Sequence, residues 1–156
     1  MGELFTAPVA RTNNSRRRMI MERFLGRYSD YLYALMRIFV GLAFSCNGAR
    51  KLFGVFGGLD GAGAAAQFPA QYWFAGVIEF FGGVLVAIGL FTGYAAFIVS
   101  GEMAVAYFQN HFPKGFWPIL NTGERAVFYC FTFLFISSRG AVRWGLDNFF
   151  RSRGKR

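Results

Sequence analysis

Tyr31–Ala49 reads YLYALMRIFVGLAFSCNGA, an apolar stretch with one charge in it, Arg37. A bilayer core of about 30 Å needs about 20 helical residues at about 1.5 Å each. The stretch therefore predicts a membrane-spanning helix. Tyr72–Phe91, YWFAGVIEFFGGVLVAIGLF, has the same character and encloses Glu79. A Gly/Ala-rich connection, Gly54–Ala70, carries Pro69 and separates the two. Such a composition punctuates rather than spans.

Thr92–Gly93 makes a very short turn into a third apolar segment, 94–111, which contains Glu102 and ends at His111. A short connection with Pro113, Lys114, Gly115, Trp117 and Pro118 leads to a fourth segment, 120–138, opening on Glu124 and Arg125. The expected fold is all-α: an integral membrane four-helix bundle over 31–138, with helices near 31–49, 72–91, 94–111 and 120–138. Residues 1–30 and 139–156 read as basic tails. The first tail lacks the apolar core and cleavage site of a signal peptide. It predicts at most a short interfacial helix around 19–28.

The composition agrees. Of 156 residues, 54% are hydrophobic and 16% charged, against roughly 25% charged in a soluble domain. Disorder is excluded for the main body, because disorder needs low hydrophobicity. Two cysteines, Cys46 and Cys130, cannot make a disulfide scaffold, and both are expected as buried apolar thiols. The net charge is +9, and twelve of the 17 Lys+Arg lie in the two tails. That distribution places both termini in the cytoplasm by the positive-inside rule. It argues for topology and contact with anionic lipid over nucleic-acid binding. Tyr31, Tyr33, Tyr72, Trp73, Tyr94, Trp117 and Trp144 fall near helix ends, where aromatic rings favour the interface.

Ionisable groups within membrane helices normally face the interior, find partners and mark function. Counting along each helix puts Arg37 about 9 Å and Glu102 about 12 Å from the cytoplasmic side. Glu79, Arg125 and Asn47 fall at about 20, 22 and 24 Å. Two layers result, with the expected pairs Arg37–Glu102 and Glu79–Arg125. Ala34, Arg37, Gly41, Ser45 and Gly48 share one face of the first helix. Glu79, Gly83 and Ala87 share one of the second, and Ala96, Ser100 and Ala104 one of the third. Small residues let membrane helices approach closely. Such pairs can serve helix register alone. The functional reading is a polar cavity, open to the outer side and lined by Asn47, Lys51, Glu79, Glu124 and His111. A lone His111 suits an interfacial position better than a metal site, and imidazole passes protons near neutral pH. No P-loop, dinucleotide, nucleophile-elbow, haem or metal motif is present in the sequence.

The ordered residues resemble the DoxX family of small four-helix bacterial membrane proteins. Helix one has R-x-x-x-G-x-x-F (Arg37, Gly41, Phe44) and N-G-x-x-K-L-F (Asn47, Gly48, Lys51, Leu52, Phe53). Helix two has Glu79, Gly82, Gly83, Gly89 and Thr92 in family spacing. Helix three has Glu102, Met103, Ala106 and His111, followed by Gly115, Phe116 and Trp117. Helix four opens on Gly123-Glu124, and a W-x-L-D element follows (Trp144, Leu146, Asp147). The resemblance spans about residues 31–149. One departure is Asn47, where the family often has histidine; a titratable group is absent there.

The resemblance implies a membrane oxidoreductase, or a membrane subunit of a redox system, in the bacterial plasma membrane. Relatives are linked to quinone reduction from sulfur compounds and to quinone or thiol-stress defence. Carried over, Glu79, Glu102 and Glu124 are candidate catalytic groups. Arg37, Asn47, Lys51, His111 and Arg125 are candidate substrate or quinone contacts. The expected partners are the bilayer, a membrane quinone and a soluble redox protein, with no nucleic acid; a homo-oligomer stays open. Two alternatives stand beside this reading. One is a non-enzymatic anchor whose basic tails recruit soluble redox proteins. The other is a carrier for a small solute, which four helices without a repeat favour less.

Overall fold

The computed structural model describes residues 21–153. Residues 1–20 and 154–156, which hold most of the first basic tail and the end of the second, lie outside the described residues. Every regular element among the described residues is helical. Residues 21–27 form a helical stretch. The helices are then α1 (Ser29–Phe53), α2 (Gln71–Ile88), α3 (Thr92–Ala106), α4 (Glu124–Arg139) and a short α5 (Leu146–Arg153). A π-helical turn, Tyr107–His111, continues α3, and a 3-10 turn, Phe112–Lys114, follows it.

Local chemistry sets the helix ends. α1 stops at Gly54, whose φ of 69° lies in the left-handed region that glycine tolerates. α2 ends at Ile88, three residues before the expected end at Phe91, with Gly89 (φ 74°) as its cap, and Leu90 N–H bonds back to the Leu85 carbonyl at 3.0 Å. α4 begins at Glu124, four residues later than expected. Thr122 has φ 60° and Gly123 N–H bonds to the Asn121 side chain, so the chain turns there before it can wind.

α1 and α2 are long and apolar enough to cross a membrane. Outward-facing side chains along the helices are apolar: Leu35, Phe39, Leu42, Phe81, Phe97, Ile98, Phe128 and Phe131 are all exposed. In water such a surface would be a large aggregation patch. It is the surface of a membrane protein. Cys46, expected inside, is exposed on this outer surface of α1, next to the buried Ser45. Cys130 is half-buried, its sulfur 3.6 Å from the Ser100 hydroxyl.

α1 packs along α2, α2 touches α3, and α3 packs along α4. Aromatic rings join α4 back to α1: Phe44 lies 5.0 Å from Tyr129 and 4.8 Å from Phe133, centroid to centroid. The α1–α2 seam is a backbone contact. A Cβ at Gly41 would sit 2.7 Å from both Ala87 N and Gly83 O, and Gly48 and Gly83 are equally closed. The polar, small-residue face Ala34–Arg37–Gly41–Ser45–Gly48 is the buried face of α1. This seam brings the end of α1 beside the first half of α2, where the charged groups lie.

Candidate functional site

Lys51 stands in the last turn of α1 and Glu79 in the middle of α2. The close seam brings them together, and Lys51 Nζ donates to Glu79 Oε1 at 2.8 Å. The Glu79 side chain is 4% exposed and that of Lys51 20%. A buried carboxylate normally has its lone pairs satisfied. Here Glu79 Oε2 is buried with no hydrogen-bond partner, and so is Glu102 Oε2 of α3. Glu102 lies within reach of the charges of both Glu79 and Lys51. The cluster thus holds two carboxyl groups against one ammonium.

Two cavities meet there. The first, about 290 Å³, lies between α2 and α3 and is walled by Phe74, Ala75, Ile78, Ile98 and Val105, with Lys51 and Glu102 as its charged groups. The second, about 330 Å³, opens at the far ends of the helices and gathers Asn47, Lys51, Glu79, His111, Lys114 and Arg125. Lys51, Tyr72, Ala106 and Asn110 line both. Lys51 Nζ also sits 5.9 Å from the centroid of the Tyr72 ring.

Five of the residues singled out in the sequence, Asn47, Lys51, Glu79, His111 and Arg125, therefore line one cavity, and Glu102 lines its neighbour. Glu124 is exposed in the first turn of α4 and lines neither cavity. Glu79 pairs with Lys51 and not with Arg125, which is exposed at the cavity mouth. The expected layer pairing failed because depth was counted without azimuth. Lys51 emerges on the α2 side of α1, while Arg125 sits one residue into α4.

Arg37 is the larger correction. It is fully buried, yet makes no ion pair with Glu102. Its guanidinium donates to the carbonyls of Val86 and Ala87, the latter at 2.9 Å, at the C-terminal end of α2. The other amino group donates to the carbonyls of Arg143 (3.2 Å) and Trp144 (3.0 Å). The negative end of a helix dipole stands in for a counter-ion. The reason is topological: α1 and α3 are not neighbours, so Arg37 meets α2 and the segment after α4 instead.

That segment carries a residue whose role the sequence did not disclose. Asp147 Oδ1 accepts from Phe91 N–H at 2.8 Å, and Oδ2 from Thr92 N–H at 3.0 Å and the Thr92 hydroxyl at 2.9 Å. It caps α3 from 55 residues away. Asn121, buried, is a second: its amide donates to the Gly115 carbonyl at 2.7 Å and its Oδ1 accepts from Gly123 N–H at 2.8 Å. The W-x-L-D motif marked Asp147; nothing in the sequence marked Asn121. Outside the membrane segments, Asp60 accepts the backbone N–H groups of Ala64 and Ala62, which hold its carboxyl below the usual range.

The family model described as DoxX matches residues 32–111. That span contains Arg37, Asn47, Lys51, Glu79, Glu102 and His111, but not Glu124 or Arg125. An uncharacterized protein of Haemophilus influenzae is 42% identical over 129 residues, covering 81% of this chain and 96% of that relative. No solved structure matches the chain.

Proposed function

The chain belongs to the DoxX family, and from that premise we propose that it is a quinone-binding membrane subunit of a redox system. In this reading α1–α4 all span the bacterial plasma membrane, with both termini in the cytoplasm, and the quinone ring enters between α2 and α3. One observation carries it: two buried carboxylate oxygens, Glu79 Oε2 and Glu102 Oε2, lack partners beside a cavity with apolar walls. Buried acceptors without donors are costly. A quinol supplies two hydroxyl donors on an apolar ring and so fits both features. Phe74 and Ile98 are exposed at the rim of the first cavity, which gives a lipid-dissolved ring a lateral way in.

The chemistry follows from the groups. Lys51 donates to a quinone oxygen, while Glu79 or Glu102 takes a proton from a quinol hydroxyl. Oxidation of one quinol releases two protons and two electrons; the two electrons pass to a redox partner docked at the end of the bundle where the quinone site lies. The test is extraction in mild detergent, followed by mass spectrometry of the lipids and quinones that stay bound. Wild type should retain quinone near one per chain, and Glu79→Gln or Glu102→Gln at least tenfold less. Equal retention by wild type and both variants, or none by wild type after addition of excess quinol, would reject the reading.

A further inference from the structure

The region around His111 is built to present one nitrogen of the imidazole to the outer cavity. His111 is the last residue of the π-helical turn, and π-turns inside helices are frequent at functional sites. Its Nδ1 lies 3.0 Å from the backbone carbonyl of Asn121. A carbonyl only accepts, so Nδ1 must carry the hydrogen. The ring stacks on Tyr107, centroids 6.3 Å apart and planes 23° apart. Tyr107 is itself fixed: its hydroxyl donates to the Phe116 carbonyl at 2.6 Å and accepts from the Asn121 amide at 3.4 Å. Asn121 is 1% exposed and held on three sides.

The consequence is a fixed tautomer. The neutral ring has hydrogen on Nδ1 and a bare lone pair on Nε2. Protonation adds a hydrogen to Nε2 and leaves the Nδ1 bond intact. Among the described residues Nε2 has no hydrogen-bond partner, and the ring lines the outer cavity together with Lys51 of α1, Glu79 of α2, and Arg125 and Tyr129 of α4. Lys114, on the connection beyond His111, lines it as well. The cavity's roughly 330 Å³ holds on the order of ten waters at about 30 Å³ each. Water can therefore join Nε2 to the Glu79 carboxyl, and Glu102 lines the adjoining cavity that shares Lys51 and Asn110 with this one.

We propose that His111 is the proton-exchange group of this cavity: Nε2 takes a proton from outer water and returns it to cavity water for Glu79 or Glu102, and the reverse. The proton enters and leaves at the same nitrogen, because Nδ1 is committed to Asn121. The ring does not conduct from one nitrogen to the other. Asn121 and Tyr107 are positioning residues that aim Nε2. This deepens the quinone reading, since quinol protons would leave by this route, but its spectroscopic test uses no quinone.

His111 is the chain's single histidine, so tag-free protein labelled with nitrogen-15 at histidine gives one imidazole to observe by NMR in detergent micelles. The neutral ring should be the Nδ1–H form, opposite to the preference of free histidine. Time-resolved infrared spectroscopy after a pH jump then follows the carboxyl band of Glu79 and Glu102, identified by its loss in Glu79→Gln or Glu102→Gln. His111→Gln keeps a side-chain N–H for Asn121 but cannot be protonated. It should slow the carboxyl response at least tenfold and leave its final amplitude unchanged. Tyr107→Phe, which keeps the stack, should mix the tautomers and slow the response less. An Nε2–H ring in wild type, no carboxyl band, or an unchanged rate in His111→Gln would each overturn the proposal. Quinone retention by His111→Gln together with a slowed response supports it and separates its fate from that of the quinone site.

Discussion

Replacing Arg37 by Met tests whether this buried cation is a structural lock. The guanidinium makes four hydrogen bonds to carbonyls of Val86, Ala87, Arg143 and Trp144. Bonds from a charged donor contribute about 1.5–3 kcal/mol each, so four have a ceiling of about 6–12 kcal/mol. Two effects reduce this. A buried Met regains about 1.5–3 kcal/mol of apolar burial. The desolvation of the charge, several kcal/mol, is no longer incurred. The net loss should be about 3–5 kcal/mol, and at about 2–4 °C per kcal/mol the midpoint should fall by roughly 10 °C. The loss should also be local. Amide exchange should accelerate at residues 141–147 and at Phe91 and Thr92, which depend on Asp147, before it does so at Lys51 or Glu79. Thermal unfolding in detergent gives the first number and hydrogen exchange with mass spectrometry the second. A variant within about 1 kcal/mol of wild type, or early opening around Lys51, would show that the carbonyl cradle is not what holds this end together.

Lys51→Met leaves Glu79 buried without its cation and should cost about 3–5 kcal/mol. Adding Glu79→Gln should restore much of that, and a double-mutant cycle in urea or by calorimetry measures the coupling. Gly41→Ala, whose Cβ would lie 2.7 Å from backbone atoms of α2, should cost about 1–3 kcal/mol by forcing the seam apart. Gly101→Ala has nothing within 4 Å and should be neutral or stabilising by up to about 1 kcal/mol; unfolding midpoints of the two variants give the comparison. Asp60, held below the usual carboxylate range by Ala64 and Ala62, should steady its loop at neutral pH. Because its folded value is depressed, that contribution should vanish as pH falls through it. Amide exchange at Ala62 and Ala64, corrected for intrinsic rates, should gain this acid dependence in wild type and lack it in Asp60→Asn.

How much of this was legible in the residues differs by kind of signal. Helical segments showed because apolar length is a one-dimensional property. The small-residue face of α1 showed because it repeats at helical spacing, and Gly41, Ser45 and Gly48 do form the seam. The ion pairs did not show. Depth along a helix fixes one coordinate, and pairing also needs the azimuth and the identity of the neighbour. Arg37 and Glu102 differ by little in depth, yet α1 has α2 and α4 as neighbours. The start of α4 was misplaced because Thr122 at φ 60° is set by the Asn121 side chain. A propensity scale cannot see that contact.

The two buried charge systems now separate by what they leave unsatisfied. At the end where α1 begins, Arg37 gives four of its five N–H groups to backbone carbonyls, its buried Nε–H alone lacking a partner, and Asp147 accepts from two N–H groups and a hydroxyl. A ligand arriving there would have to break those bonds before making its own. At the opposite end Lys51, Glu79 and Glu102 leave two carboxylate oxygens bare and adjoin two cavities. Stability alone gives no reason to bury an acceptor without a donor, because a Gln or Leu would cost less. Unlike Arg37 Nε, the bare oxygens belong to residues that line cavities, where a ligand with paired donors, or a proton delivered through His111, can reach them.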